Sequence, residues 1–99
     1  MKTLEIIHLR LAGDSPQRLI DVIHESVGST LDGMDIRIYR HTKLETDLAV
    51  HLHQEVTGRS GQTSDVGTRL ASLLREYGMV EHAVWVEAYG VTDGSTSFE

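Results

Sequence analysis

The sequence predicts an α+β domain whose elements follow the order βαββαβ. Residues 34–40 and 46–54 alternate apolar and polar side chains, as strands with one buried face do. Residues 16–27 and 65–77 space their apolar side chains three and four positions apart, which is typical of amphipathic helices. The chain has 99 residues and no cysteine, so one core must hold it together without disulfides.

The first strand and the first helix are separated by residues that favour a helix start. Residues 3–11 are rich in β-branched and aliphatic side chains and predict the strand. Asp14 or Ser15 can cap the helix because their side-chain oxygens accept hydrogen bonds from first-turn amides, and Pro16 suits the first helical position. Gly28 can end the helix in a left-handed conformation. The apolar stripe consists of Leu19, Ile20, Ile23 and Val27.

The remaining elements are a hairpin, a helix and a last strand. The two alternating stretches are joined through residues 41–45, and the polar loop 57–63 leads to Ser64 as a second helix cap. Gly78 is expected to end this helix, and residues 80–89 form the last strand. The apolar positions of the helix are Val66, Leu70, Leu73, Leu74 and Tyr77.

This order is the split-βαβ plan of ferredoxin-like domains. Right-handed crossovers favour a four-stranded antiparallel sheet in the order 4-1-3-2, with both helices on one face. A different α+β arrangement of the same elements is the alternative. We expect a single domain over residues 1–89 and a flexible C-terminal tail over residues 90–99, whose composition is Gly- and Ser-rich.

Strand alternation divides the sheet into two faces of different composition. His82 falls in an otherwise apolar row, where we expect a partly exposed or hydrogen-bonded neighbour of the core. Aromatic side chains mixed with Arg on the opposite face are typical of a protein interface or a ligand cleft, and a solvated open sheet is the alternative. The helix-side rows are Ile7/Leu9/Leu11, Met34/Ile36/Ile38, Leu48/Val50/Leu52 and Val80/Val84/Val86.

The opposite face, which also includes Tyr89 in the last strand, carries the candidate site. The His51-Leu52-His53 segment points two imidazoles the same way with Cα atoms about 6.7 Å apart, so both could reach one metal ion. An anionic or aromatic ligand is favoured over a metal. The candidate ligand-binding residues are His8, Arg37, Tyr39, His51, His53 and Trp85, and the candidate metal ligands are His8, His51, His53 and Glu87. The acidic residues Glu45, Asp47, Glu81 and Glu87 are otherwise expected to be solvated charges.

Composition and motifs exclude several classes. Nine Lys and Arg against fifteen Asp and Glu give a net charge of −6, which disfavours nucleic acid as a partner. No apolar run reaches the roughly 18 residues of a membrane span, so we expect no membrane association and a cytoplasmic protein. No phosphate-binding loop, dinucleotide fingerprint, nucleophile elbow or zinc-protease motif is present, and no cofactor is expected.

Over residues 3–89, the element order and the polar-aromatic face resemble the dimeric α+β barrels, a class that includes the antibiotic-biosynthesis-monooxygenase-like proteins. The resemblance implies a homodimer whose sheets pack face to face around a pocket. Some members of this class are cofactor-free oxygenases and others bind haem. Asp14-Ser15-Pro16 is also similar to a turn of the ACT regulatory domains, but Gln17 stands where that family has Gly.

Three functional hypotheses remain at the level of the sequence. The first is a homodimer that binds a small organic or anionic molecule. The second is a cofactor-independent monooxygenase or isomerase, in which His51 or His53 acts as a base and Arg37 stabilises an anionic intermediate. The third is a structural or interaction module without a ligand.

Overall fold

The computed structural model describes residues 2–28, 34–55 and 64–91. Their elements are β1 (Lys2–Leu11), α1 (Pro16–Val27), β2 (Met34–Arg40), β3 (Asp47–Glu55), α2 (Asp65–Leu74) and β4 (Gly78–Val86). The predicted βαββαβ order is confirmed. The predicted loop 57–63 and residues 92–99 of the expected tail lie outside the described residues.

The strands form an antiparallel sheet in the order β2-β3-β1-β4. This is the predicted order 4-1-3-2 read from the other edge, and it makes the fold α+β and ferredoxin-like. β1 lies between β3 and β4, so Ile7 stands opposite Val50 on one side and His82 on the other. β2 and β4 are the edge strands.

Both helices cover the same face of the sheet, as predicted. The apolar rows of the two central strands are enclosed, whereas those of the edge strands are only partly covered, and Val86 is 37% exposed. The residues of the core are Ile7, Leu9, Leu11, Leu19, Ile23, Val27, Leu48, Val50, Leu52, Leu70, Ala71 and Leu74. Neither α1, with 12 residues, nor α2, with 10, has the length and apolar character needed to cross a membrane.

Serine caps the N-terminus of each helix. The amide of Arg18 donates to Ser15 Oγ at 3.4 Å, and the amide of Gly67 donates to Ser64 Oγ at 2.9 Å. Of the two possible caps of α1, Ser15 is therefore the one used. Gly28 ends α1 as predicted, but with φ of +53° and ψ of −129°, a positive-φ conformation other than the left-handed helical one that was expected.

The junction between α2 and β4 differs from the prediction. The helix ends at Leu74 and residues 75–77 form a turn, so Gly78 is the first residue of β4 and does not end the helix. Gly78 pairs with Leu11, and a Cβ on Gly78 would overlap the carbonyl oxygen of Arg10. Glycine is required here because two backbones approach closely.

β4 also ends earlier than predicted, at Val86 instead of Tyr89. The described part of β1 begins at Lys2, and the last bond between the two strands is from the Glu87 amide to the Lys2 carbonyl at 2.9 Å. Residues 88–91 lie beyond the described part of β1 and are exposed. Glu87 and Tyr89 therefore do not belong to the sheet face on which the alternation had placed them.

Candidate functional site

The sheet face opposite the helices, here called the open face, presents large apolar side chains to solvent. Tyr39 is 47% exposed, Trp85 62% and Met79 76%. A concentration of exposed aromatic and methionine side chains on one surface marks an interaction or ligand-binding site. The strand register assigns to the open face Lys2, Leu4, Ile6, His8, Arg10, Asp35, Arg37, Tyr39, Asp47, Ala49, His51, His53, Met79, Glu81, Ala83 and Trp85.

His51 and His53 lie side by side on the open face, as their spacing predicted. Their ring centroids are 6.1 Å apart, and the Tyr39 ring lies 4.6 Å from that of His51 at a tilt of 57°. Partial burial lowers the pKa of His51, and the nearby His53 lowers it further. His51 therefore favours the neutral imidazole, which can accept or donate a hydrogen bond.

His53 has an enclosed ring nitrogen that makes no hydrogen bond. Its Nε2 has no partner among the described residues. A shallow depression of about 280 Å³ lies beside it, lined by Lys2, Thr3, Asp35, His53 and Gln54. A bound polar group could supply the missing partner, because an enclosed nitrogen without a hydrogen bond is unfavourable.

His8 does not join the His51 and His53 pair. In the register His8 stands opposite Ala49, whereas Ile6 and Leu4 stand opposite the two histidines. The ring of His8 turns toward Asp47, so that Nε2 donates to Oδ2 at 3.0 Å, and its Nδ1 lies 3.8 Å from Glu81 Oε1. The three histidines therefore do not form one cluster.

Asp47 is buried, with 4% of its surface exposed, which corrects the expectation of a solvated charge. Its Oδ1 accepts from Thr46 Oγ1 at 3.0 Å and lies 3.5 Å from Arg10 Nε. Burial alone would raise the pKa of Asp47, but the hydrogen bonds from His8 and Thr46 and the charge of Arg10 outweigh it and lower the pKa. The ionised carboxylate accepts from Nε2 of His8, so Nδ1, near Glu81, is the ring nitrogen left without a hydrogen bond to Asp47.

Two depressions of the open face share His8. One, of about 310 Å³, is lined by His8, Tyr39, Arg40, His41, Thr42, Asp47, Leu48 and Ala49. The other, of about 110 Å³, is lined by His8, Arg10, Met79, Val80 and Glu81. The larger one combines an aromatic ring, aliphatic atoms and an imidazole, which suits a small planar molecule with one polar edge.

Arg37 and Trp85 lie outside these two depressions. Arg37 donates from Nε to Asp35 at 3.0 Å, and this hydrogen bond together with the Asp35 charge raises the pKa of Arg37. Trp85 of β4 and His53 of β3 stand on opposite sides of Leu4 in β1. The strand β1 therefore separates Trp85 from His53. The six predicted ligand-binding residues share one face but do not line one common concavity.

The predicted metal set is not brought together. Glu87 follows the end of β4, and its carboxylate lies near Gly90. His8 is held by Asp47, away from His51 and His53. Within residues 2–28, 34–55 and 64–91, no three His, Asp or Glu side chains are grouped so as to hold a metal ion.

A second polar cluster, which the sequence analysis missed, lies on the helix side. Glu5 is 5% exposed, and its Oε1 accepts from the amide of Ser64 at 3.2 Å and from its hydroxyl at 2.7 Å. Oε2 accepts from His82 Nε2 at 2.5 Å, which confirms that His82 is hydrogen-bonded. Gly67 provides the space, because a Cβ there would overlap the Glu5 carboxylate. The carboxylate joins β1, β4 and the start of α2, and we interpret it as a structural anchor.

The comparisons with known proteins identify the fold. The chain is similar in structure to Rv0793 from Mycobacterium tuberculosis, with a TM-score of 0.65 and 13% sequence identity, over 93% of this chain and 100% of that chain. At this identity the likeness shows a shared α+β fold alone. No protein-family model matches the sequence. No curated protein matches it either.

Proposed function

We propose that this protein forms a homodimer through its open face. We further propose that it binds, beside His8, a small planar aromatic molecule that carries an anionic or a phenolic group. The observation that carries the proposal is the exposure, from 47% to 76%, of Tyr39, Met79 and Trp85 on the same sheet face as the depressions that share His8. Large apolar side chains are rarely left exposed together on a monomeric protein.

The homodimer is supported by the composition and position of the open face. Aromatic residues, Met and Arg are the residue types enriched at protein interfaces, and each is present there. A second copy packed against the open face would cover Met79 and Trp85 and would deepen the shallow depressions. The antibiotic-biosynthesis-monooxygenase-like proteins that the sequence resembles belong to a class whose dimers pack in this way.

The ligand class is supported by the lining of the larger depression. Tyr39 offers a ring edge or face, and Ala49 offers aliphatic surface. Arg40 and His41 also line it, and a guanidinium or an imidazole N–H can donate to a carboxylate or phenolate oxygen. A volume of about 310 Å³ suits a molecule of one or two rings.

Thermal-shift measurements and calorimetry with benzoate, salicylate and catechol test the ligand. We expect at least one probe to raise the midpoint of thermal unfolding of the wild-type protein. Ala49→Leu, which fills the larger depression, should abolish the rise. Ala83→Leu adds the same volume to the open face outside both depressions and should retain it. Absence of a shift with all three probes, or an unaffected Ala49→Leu variant, would contradict the proposal.

A cofactor-independent enzyme is the second candidate, and the pairing of His8 with Asp47 favours it. Because Nε2 donates to Asp47, Nδ1 is the nitrogen of His8 that would act as a general base. This base could take a proton from an acidic C–H bond and return it at another carbon, which is an isomerisation. The same carbanion could instead be oxidised by O2 to a carbon hydroperoxide, which loses water and leaves a carbonyl group, so that one oxygen atom enters the substrate and the other leaves as water. His8 thus replaces His51 and His53 as the candidate base.

His8→Gln separates the enzyme from the binding protein. For an enzyme, this variant should lose proton exchange between a bound carbon acid and deuterated water while it keeps the ligand-induced thermal shift. His51→Gln, which changes a histidine outside the two depressions, is the matched control. Equal exchange in the wild-type protein and the His8→Gln variant would reject His8 as the base.

A further inference from the structure

The turn between β2 and β3 is closed by a histidine side chain. Nδ1 of His41 accepts hydrogen bonds from the backbone amides of Lys43 and Leu44, each at 3.0 Å. At the base of the turn, the His41 amide donates to the Asp47 carbonyl at 3.1 Å and the Asp47 amide donates to the Leu44 carbonyl at 3.0 Å. One imidazole nitrogen therefore satisfies two amides of a short surface turn.

This arrangement requires that Nδ1 carries no proton. An imidazole nitrogen accepts hydrogen bonds through its lone pair, and both nitrogens of the imidazolium ion are donors. Protonation of His41 on Nδ1 would remove both hydrogen bonds at once and would direct an N–H toward two other N–H groups. Histidine is the side chain that ordinarily changes charge between about pH 5 and pH 8. His41 is exposed, so a proton reaches it without unfolding.

The turn is also one wall of the larger depression. His41 and Thr42 line it together with His8 and Asp47. Asp47 ends the turn and holds His8 through its side chain, so the turn and the site are connected through one residue. A change in the turn therefore changes the shape of the depression.

Among the described residues, no carboxylate forms an ion pair with His41. The Asp47 carboxylate is already engaged by His8, Thr46 and Arg10. The titratable and charged groups beside His41 along the chain and around the depression are Tyr39 and Arg40 from β2, Lys43 and Glu45 from the turn, His8 from β1 and Asp47 from β3.

We propose that His41 is a proton-operated clasp of the β2–β3 turn, closed when Nδ1 is unprotonated and released on protonation, and that its release opens the wall of the depression beside His8. The clasp itself rests on the two hydrogen bonds to Nδ1. Its effect on ligand binding rests on the function proposed above.

Amide hydrogen exchange measured by NMR at pH 7.5 and pH 5.0 tests the clasp, with each rate corrected for the intrinsic dependence of exchange on pH. In the wild-type protein, protection of the Lys43 and Leu44 amides should fall by roughly fivefold or more in acid, because the hydrogen bond of each is lost. His41→Asn should remain protected at both pH values, since the Asn carbonyl oxygen accepts from amides two residues on and does not titrate in this range. His41→Ala should be unprotected at both.

His24→Asn is the matched control, because it changes an exposed histidine of α1 far along the chain from the turn. It should behave as the wild-type protein does. Wild-type protection that does not change with pH would overturn the clasp, and so would equal protection in His41→Asn and His41→Ala.

Salicylate affinity at the two pH values tests the connection to the site. The wild-type protein should bind more weakly at pH 5.0, whereas His41→Asn should lose less affinity. Equal losses in both proteins would overturn the connection. If salicylate, benzoate and catechol all fail to bind at pH 7.5, the proposed function fails, while the exchange rates still decide whether the clasp exists.

Discussion

Asp47 begins β3 with its carboxylate enclosed, although it lies on the face of the sheet that carries no helix. Its oxygens receive hydrogen bonds from His8 and Thr46 and lie near the Arg10 guanidinium. These partners outweigh the effect of burial and lower the pKa of Asp47. A carboxyl group whose pKa is lowered in the folded state stabilises the fold above its unfolded pKa, and this stabilisation is lost as the pH falls through the folded value.

Asp47→Asn should therefore lower the free energy of unfolding at pH 6 and should lessen its dependence on pH below about 4. Urea unfolding between pH 6 and pH 2.5 measures both effects. Asp35→Asn is the control, because Asp35 pairs with Arg37 at the surface, where ion pairs contribute little. Parallel stability profiles for the wild-type protein and Asp47→Asn would show that the enclosed carboxylate makes no such contribution.

At the scale of single residues, the sequence predicts on which face of the sheet a side chain lies better than it predicts which side chains are in contact. Strand alternation placed His51 and His53 together, and the ionisable Glu5 and His82 in helix-facing rows were a signal for the buried cluster. The contacts of Asp47 and His8 could not be predicted, because they depend on the register of β1 against β3 and on side-chain rotamers. The His41 clasp likewise depends on the rotamer of an exposed side chain.

The two helices have the same kind of N-cap, but the caps have different surroundings. Ser15 is exposed and accepts a long hydrogen bond from the Arg18 amide. Ser64 accepts a shorter one from Gly67 and also donates to the buried Glu5 carboxylate. Glu5 thus holds the N-terminus of α2, while the apolar contacts of this helix are concentrated nearer its C-terminus, at Leu70, Ala71 and Leu74.

Ser64→Ala should destabilise the protein more than Ser15→Ala. Loss of an exposed cap costs about 0.5 to 1 kcal/mol, whereas Ser64→Ala also removes a donor from a buried carboxylate, for a total of about 2 to 3 kcal/mol. Chemical denaturation of the two variants provides the comparison. Equal losses of stability would mean that the hydrogen bond from Ser64 to Glu5 contributes nothing beyond the cap.

The accuracy of each predicted element follows from what determines its ends. β2 has the predicted bounds because its alternation is strict. α1 has them because Pro16 fixes the backbone at its start and Gly28 adopts at its end a positive φ that other residues avoid. The predicted ends of β4 were wrong because the actual ends depend on pairing with β1. The approach of the Arg10 carbonyl determines where Gly78 joins the sheet, and the last bond to Lys2 determines where pairing stops.

At the scale of the whole molecule, the element order and right-handed crossovers were sufficient to predict the strand order and the placement of both helices. The division of the open face into separate depressions was not predictable, because small differences in register decide which side chains share a concavity.

The same face carries His51, whose pKa is lowered by burial and by His53. Its contribution to stability is complete above about pH 6.5 and is lost as the pH falls through the folded value.

We therefore expect association of two copies to weaken as the pH falls from about 7 to 5, because a dimer interface would bury His51 further. The smaller net charge in acid acts in the opposite direction, so the informative quantity is the difference between the wild-type protein and His51→Gln. Sedimentation velocity at several pH values should show a smaller loss of dimer in His51→Gln. The same pH dependence in both proteins would exclude His51 as its source.

The mass in solution, measured by light scattering at tens of micromolar and neutral pH, tests the proposed dimer most directly. We expect about twice 11.0 kDa for the wild-type protein. Trp85→Ala should raise the dissociation constant by about tenfold or more, since a buried aromatic anchor contributes at least about 1.4 kcal/mol. Val91→Ala, which truncates an apolar residue that is 77% exposed and lies beyond the sheet, should leave the dissociation constant unchanged. A monomeric wild-type protein, or equal effects of the two substitutions, would contradict a dimer formed through the open face.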